Sequence, residues 1–157
     1  MKETNTHIYF FGSIYSQWTK SFFIEYNIQF TTAEQYMMYH KALLFDDTEI
    51  ANQILATNNP KEQKALGRKV KGFDVTVWDQ KKLAIVTQGN YLKFSQNKKF
   101  KEQLLSTGLK IFVEGSPYDS VWGVCLKYSD PLILDEKNWK GQNLLGKALM
   151  DVRAKLS

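Results

Sequence analysis

Apolar residues along this 157-residue chain recur at two periods, and the order of those periods sketches the fold. Near the start, Ile8-Tyr9-Phe10-Phe11 is an unbroken apolar and aromatic run closed by Gly12, and Phe22-Phe23-Ile24 is a second such run ending near Asn27. Both read as extended segments, joined by a loop through Ser16-Gln17-Trp18. From Thr31 the pattern turns helical. Thr31-Thr32-Ala33-Glu34 fits a capping box with Thr31 at the N-cap and Glu34 at the third helical position, and the helix runs to about Phe45. Asp46-Asp47-Thr48-Glu49 opens a second helix that ends near Thr57. Asn59-Pro60 opens a third, with Pro60 at its first position and Glu62 in its first turn. Asp74 caps a longer helix through Trp78, Leu83 and Val86 towards Phe94. A short helix holding Phe100, Leu104 and Leu105 stops at Gly108. Lys110-Ile111-Phe112-Val113-Glu114 is β-branched and aromatic and predicts a strand. A polar and aromatic loop follows from Gly115 to Gly123, then a short apolar run, Val124-Cys125-Leu126. Leu144, Leu145, Ala148, Leu149 and Val152 return at helical spacing in a last helix. The expected fold class is mainly α, an α+β arrangement with a small β-sheet. No repeat or linker divides the chain, so residues 1–157 are expected to form one domain.

Composition narrows the chemistry. Cys125 is the single cysteine, which excludes an internal disulfide and a cysteine-based zinc site, and reads as a small buried apolar residue. His7 and His40 are too few and too distant to suggest a metal centre, so neither metal nor cofactor is expected. Met1–His7 is polar, and no window holds the roughly 18 apolar residues of a membrane span. A cytoplasmic protein without a membrane partner is the expectation. Twenty-one basic against sixteen acidic side chains give a net charge of +5, compatible with a phosphate-bearing partner.

Four clusters carry candidate chemistry. Glu34 and Lys41 stand seven residues apart on the first helix, on one stripe and about 10 Å apart along its axis. A capping box explains Glu34 without catalysis, and a lysine snorkelling to solvent explains Lys41. Lys64, Arg68 and Lys71 recur at helical spacing and predict a cationic face. Arg68 beside Gly67 suits a phosphate because a guanidinium grips two oxygens and glycine permits close approach. A solvated basic face is the plainer alternative. From Glu114 to Gly123 a strand end carries Asp119 and two rings, Tyr118 and Trp122, a setting suited to a flat base and a sugar; an ordinary turn has the same composition. Gly141-Gln142-Asn143-Leu144-Leu145-Gly146 precedes the last helix, where free backbone N–H groups would hold an anion, unless Asn143 simply caps that helix. It is neither a Walker loop nor a dinucleotide fingerprint.

In this order the blocks resemble the YbiA-like, or NADAR, family. The stretches that carry the resemblance are Ser16-Gln17-Trp18, Ala33-Glu34-Gln35-Tyr36-Met37-Met38 with Lys41-Ala42, Ala65-Leu66-Gly67-Arg68, and Val77-Trp78. Gly89-Asn90 with Lys93-Phe94, Glu114 with Asp119 and Trp122-Gly123, and Gly141–Gly146 with Leu149-Met150 and Arg153 complete it, from about Tyr9 to Leu156. Gln17 departs from the asparagine that many relatives carry. The resemblance implies a YbiA-like fold and an N-glycosidase. Its substrate is either a phosphoribosylamino-pyrimidine intermediate of riboflavin biosynthesis or ADP-ribose attached to guanine, as in reversal of DNA ADP-ribosylation. The partner is thus a nucleotide-like small molecule or ADP-ribosylated nucleic acid. The family's acidic residue falls on Glu34, its tryptophan on Trp78, its loop aspartate on Asp119, and a lysine able to attack the opened sugar on Lys41. Trp18, Arg68, Trp122, Asn143 and Gly146 complete the expected substrate-binding set. Two rivals remain: a non-catalytic module binding ADP-ribose or NAD, and a nucleic-acid binder using Lys64–Lys71.

Overall fold

The apolar run near the N-terminus becomes the central strand of a small sheet. The computed structural model describes Met1–Ser157. It has strands β1 (Lys2–Glu3), β2 (His7–Phe10), β3 (Phe23–Glu25), β4 (Ile28–Phe30) and β5 (Ile111–Glu114). Its helices are α1 (Ala33–Leu44), α2 (Thr48–Leu55), α3 (Pro60–Gly67), α4 (Val75–Ser95), α5 (Lys98–Ser106) and α6 (Leu144–Leu156). Short 3-10 turns lie at Pro131–Leu134 and Glu136–Asn138. The fold is mainly helical with little sheet, as the hydrophobic periods predict. No helix is long and apolar enough to cross a membrane. The chain divides into two compact units, one of Met1–Ser16 with Lys98–Ser157 and one of Gln17–Asn97.

In the first unit the sheet order is β1-β2-β5, β1 antiparallel and β5 parallel to β2, with Ile8 opposite Phe112 and Tyr9 opposite Val113. Alternation along β2 and β5 sends side chains to two faces, and both faces are buried. Tyr9 and Val113 pack with Val124 and Ile133, where the Trp139 indole donates to the Ile133 carbonyl at 2.8 Å. On the opposite face Phe10, Tyr15 and Phe112 meet edge to face or tilted, with centroids 4.8–6.3 Å apart. The helical stripe Leu145, Ala148, Leu149 and Val152 is buried along α6. Arg153 is 8% exposed; its guanidinium donates to Thr107 Oγ1 at 2.9 Å and lies 5.1 Å from the Phe112 ring. Cys125 is only half-buried and takes a left-handed backbone, so the expectation of a small buried apolar residue does not hold there.

In the second unit β3 and β4 form a hairpin, turned by Tyr26 and Asn27, both with positive φ. The extended run predicted to end near Asn27 therefore doubles back. A two-residue turn with both φ values positive matches strand twist, but its usual sequence mark is Asn-Gly, which is missing here. Phe23, Phe30 and Tyr36 bind the hairpin to α1. Glu25 accepts from Tyr36 Oη and pairs with His40 Nε2, each at 2.9 Å.

Helix α1 starts one residue later than its sequence predicts. Thr32 is the N-cap: its Oγ1 accepts from Gln35 N at 3.0 Å and donates to Gln63 Oε1 at 2.6 Å. Gln35 Oε1 reaches back to Thr31 N at 2.8 Å, so Gln35 and not Glu34 is the reciprocal acceptor. The two buried glutamines then tie three helices together. Gln35 Nε2 donates to the carbonyls of Ile54 and Thr57, and Gln63 Nε2 to Thr57 as well. The cationic face also needs correction. Helix α3 ends at Gly67, Arg68 is its C-cap, and Lys71 lies beyond it, held through its N–H by Asp47 Oδ2 at 2.9 Å. Gly67 makes room for helix packing: a Cβ there would lie 1.9 Å from Met38 Sδ of α1.

Candidate active site

Moving the cap to Thr32 changes what Glu34 is. It occupies the second helical position, is 4% exposed, and donates its N–H to the Gln17 carbonyl at 2.9 Å. A capping box no longer accounts for it. The first turn of a helix favours a carboxylate electrostatically, so a buried acid is tolerated at this place.

Two turns on, Lys41 is half-buried, and its amine does not simply snorkel to solvent. Nζ lies 4.6 Å from the Phe73 ring centroid and 5.6 Å from that of Trp78. Burial lowers its pKa first; the Glu34 carboxylate acts in the opposite sense, and the Arg68 guanidinium lowers it further. Four expected residues, Glu34, Lys41, Arg68 and Trp78, thus form one electrostatic and aromatic cluster within the second unit. Trp78 is buried, while Arg68 is exposed, free to meet an anion. Trp18 is 43% exposed and follows Gln17, whose carbonyl holds the Glu34 N–H. Gln17 in turn accepts from Asn90 Nδ2 of α4 at 2.8 Å.

Sequence reading missed Phe73. It is 44% exposed, sits just before the Asp74 cap of α4, and packs edge-on against Phe45 with centroids 5.4 Å apart. An aromatic residue after Gly72 and before a helix cap was its only signal. A groove along α2 and α3, lined by Gln53, Thr57, Glu62 and Lys69 among others, contains none of these groups.

The remaining expected residues belong to the first unit. Asp119 Oδ1 accepts from Val121 N at 2.9 Å and Trp122 N at 2.8 Å, so this carboxylate organises its own loop. Trp122 is half-buried. The anticipated anion site before α6 is corrected. The N–H groups of Gln142, Asn143, Leu144 and Leu145 donate to the carbonyls of Ser120, Gly123, Val121 and Trp122, leaving none of these four for a ligand. Asn143 does not cap the helix with its side chain. It takes a left-handed backbone, donates to Phe112 O at 2.8 Å and accepts from Glu114 N at 3.0 Å. A Cβ on Gly146 would stand 2.1 Å from Phe112 O, so only glycine lets α6 approach β5 there. Asn143 and Gly146 are occupied in joining helix to strand.

Residues 2–157 match the NADAR domain family. The chain belongs to the NADAR family. An N-glycosidase of Acanthamoeba polyphaga mimivirus is 43% identical over 164 residues, covering 96% of each protein. An N-glycosidase of Nostoc punctiforme is 34% identical over 125 residues, 80% of this chain and 73% of that protein. The solved structure of Escherichia coli YbiA shares the fold, with a TM-score of 0.78, 23% identity, and coverage of 99% of this chain and 87% of that one. Both units of this NADAR protein fall within the single stretch that the family spans.

Proposed function

We propose that this NADAR protein, a hydrolase of N-glycosyl bonds, cleaves the bond between ribose C1 and nitrogen in a phosphate-bearing, nucleotide-like substrate. The observation that carries the reading is the Glu34–Lys41 cluster: a buried acid and a half-buried amine on one helix stripe, flanked by Arg68, Phe73 and Trp78. Breaking a ribose C–N bond builds positive charge on the sugar, which a nearby carboxylate stabilises. The departing nitrogen must also gain a proton, which Glu34 supplies and then recovers from the water that delivers hydroxide to C1. In the variant through Lys41, its neutral amine attacks C1 of the opened sugar and displaces the nitrogen. The resulting imine is then hydrolysed by water. Phe73 and Trp78 offer faces for a flat base and Arg68 a fork for phosphate.

Two substrate classes share this chemistry, ADP-ribose on guanine and the phosphoribosylamino-pyrimidines. The test incubates the protein with ADP-ribosylated DNA and, separately, with a ribosylamino-pyrimidine phosphate, and identifies the fragments by mass spectrometry. Release of free sugar phosphate or ADP-ribose from either supports the reading and chooses the class. Calorimetric binding of ADP-ribose with no fragment released from either substrate overturns it in favour of a binding module.

A further inference from the structure

Gln17 and Asn90 each carry a buried polar atom with no partner in the protein, a donor on Gln17 Nε2 and an acceptor on Asn90 Oδ1. The other ends of both amides are committed. Asn90 Nδ2 donates to Gln17 Oε1 at 2.8 Å and to the Val86 carbonyl at 2.9 Å. This fixes both orientations. Turning Asn90 over would set its oxygen against two acceptors; turning Gln17 alone would set donor against donor. Asn90 is fully buried and Gln17 is 8% exposed. A buried donor or acceptor left without a partner is costly, so two on adjacent amides call for a complement.

The chemistry of that complement is narrow. An anion satisfies the N–H but not the carbonyl oxygen, and a cation does the reverse. A neutral group that both accepts and donates serves both, and a sugar hydroxyl is one. The place narrows it further. The Gln17 backbone carbonyl accepts the Glu34 N–H, so the amide pair is tethered to the turn that starts at the acid acting on C1. A flat base has its faces at Phe73 and Trp78 around Lys41. Resting on the function proposed above, we infer that Gln17 and Asn90 bind the hydroxyl on C2 of the substrate's ribose and thereby select ribosyl over 2-deoxyribosyl substrates. Gln17 donates to this hydroxyl, which donates to Asn90.

The test compares kcat/KM of the wild-type protein on whichever N-riboside it cleaves with the 2′-deoxy and 3′-deoxy counterparts, and repeats the set with Gln17→Met. A site built around a hydroxyl rejects the analogue lacking it strongly, so the 2′-deoxy substrate should fall by about 10²-fold or more. In Gln17→Met that preference should shrink at least about tenfold, a ratio in which the intrinsic reactivity of the two sugars cancels. Titration calorimetry of ribose 5-phosphate against 2-deoxyribose 5-phosphate gives a readout independent of turnover, with tighter binding of the ribose form expected. Cleavage with equal kcat/KM on all three sugars means that the amides hold only a buried water, and overturns the inference while leaving the N-glycosidase intact. A loss confined to the 3′-deoxy substrate overturns the assignment to C2. Absence of cleavage of any N-riboside defeats the underlying function instead. Equal binding of the two sugar phosphates then defeats this inference also. The wild-type comparisons need no variant, so misfolding of Gln17→Met cannot shield the inference.

Discussion

At the scale of single residues, Glu34 is distinguished by what it is not doing. Gln35 has taken the cap, so Glu34→Gln leaves the capping bonds intact while removing the acid. The expected result is a fall in kcat of about 10²–10⁴-fold at unchanged thermal midpoint; turnover at the wild-type rate removes Glu34 from proton transfer. Lys41 is tested by pH. Its pKa is lowered by burial and by Arg68, so the neutral amine becomes abundant below the pH at which a free lysine titrates, near ~10.4. If the imine route operates, kcat rises with pH through that lowered value, Lys41→Arg loses the rise, and borohydride traps a sugar adduct on wild type alone. Asp119→Asn keeps Oδ1 for the Val121 and Trp122 N–H groups, so it should fold with an unchanged thermal midpoint, where Asp119→Ala loses the loop and lowers it. That Glu34 and Lys41 share one stripe was legible from helical spacing, whereas Trp78 entered only through the family resemblance. Phe73 was not legible, because nothing local says that a ring before a helix cap lies over an amine from another helix.

At the scale of elements, the sequence located the helices and missed some of their ends. Two threonines stand side by side at the start of α1, and either satisfies the cap rule locally. The bond from Thr32 to Gln63, 31 residues away, decides between them, and no local pattern contains it. The same reason explains the segment before α6: its N–H groups look free in sequence and are taken by carbonyls of residues 120–123. Cap-by-network coupling makes Thr32→Val a sharp probe, since it preserves shape and removes the hydroxyl. Loss of an N-cap costs about 1 kcal/mol, and the fully buried Gln63 loses a donor to its carbonyl oxygen, adding about 1–3 kcal/mol. The expected total of about 2–4 kcal/mol appears as a lower urea midpoint at unchanged m-value. A loss below about 1 kcal/mol would mean that Thr31 takes over the cap.

At the scale of the whole molecule, stability should depend on pH in an unusual sense, because one fully buried amine carries the rise of the ordinary acid limb on above neutrality. Lys93 of α4 has no exposed surface, and burial pushes its pKa down to about 7. The unfolded chain titrates the same group near ~10.4. Below about pH 7 both states hold the proton, and the folded state bears the full penalty of a buried ammonium. Between about 7 and 10.4 the unfolded chain holds a proton that the folded chain lacks, so stability increases with pH, by up to ~1.4 kcal/mol per unit for one such group. Lys41, also lowered, acts in the same direction. Burial raises the phenols of Tyr9, Tyr15 and Tyr36, which reverses the trend above about pH 10 as the unfolded tyrosines lose protons first. At the acid end Asp47, lowered by the Lys71 and Ile50 N–H groups, withdraws its contribution as the pH falls through the carboxylate range. The sum is a stability maximum on the alkaline side of neutrality, near pH 9–10, for a protein of net charge +5. Urea midpoints measured at unit steps from pH 5 to 11 should climb from 7 to 9 and turn down beyond 10. Lys93→Met should flatten the climb without moving the downturn. A midpoint that stays level or declines between pH 7 and 9 in the wild type would show that Lys93 remains charged in the folded protein, and that burial does not control its proton.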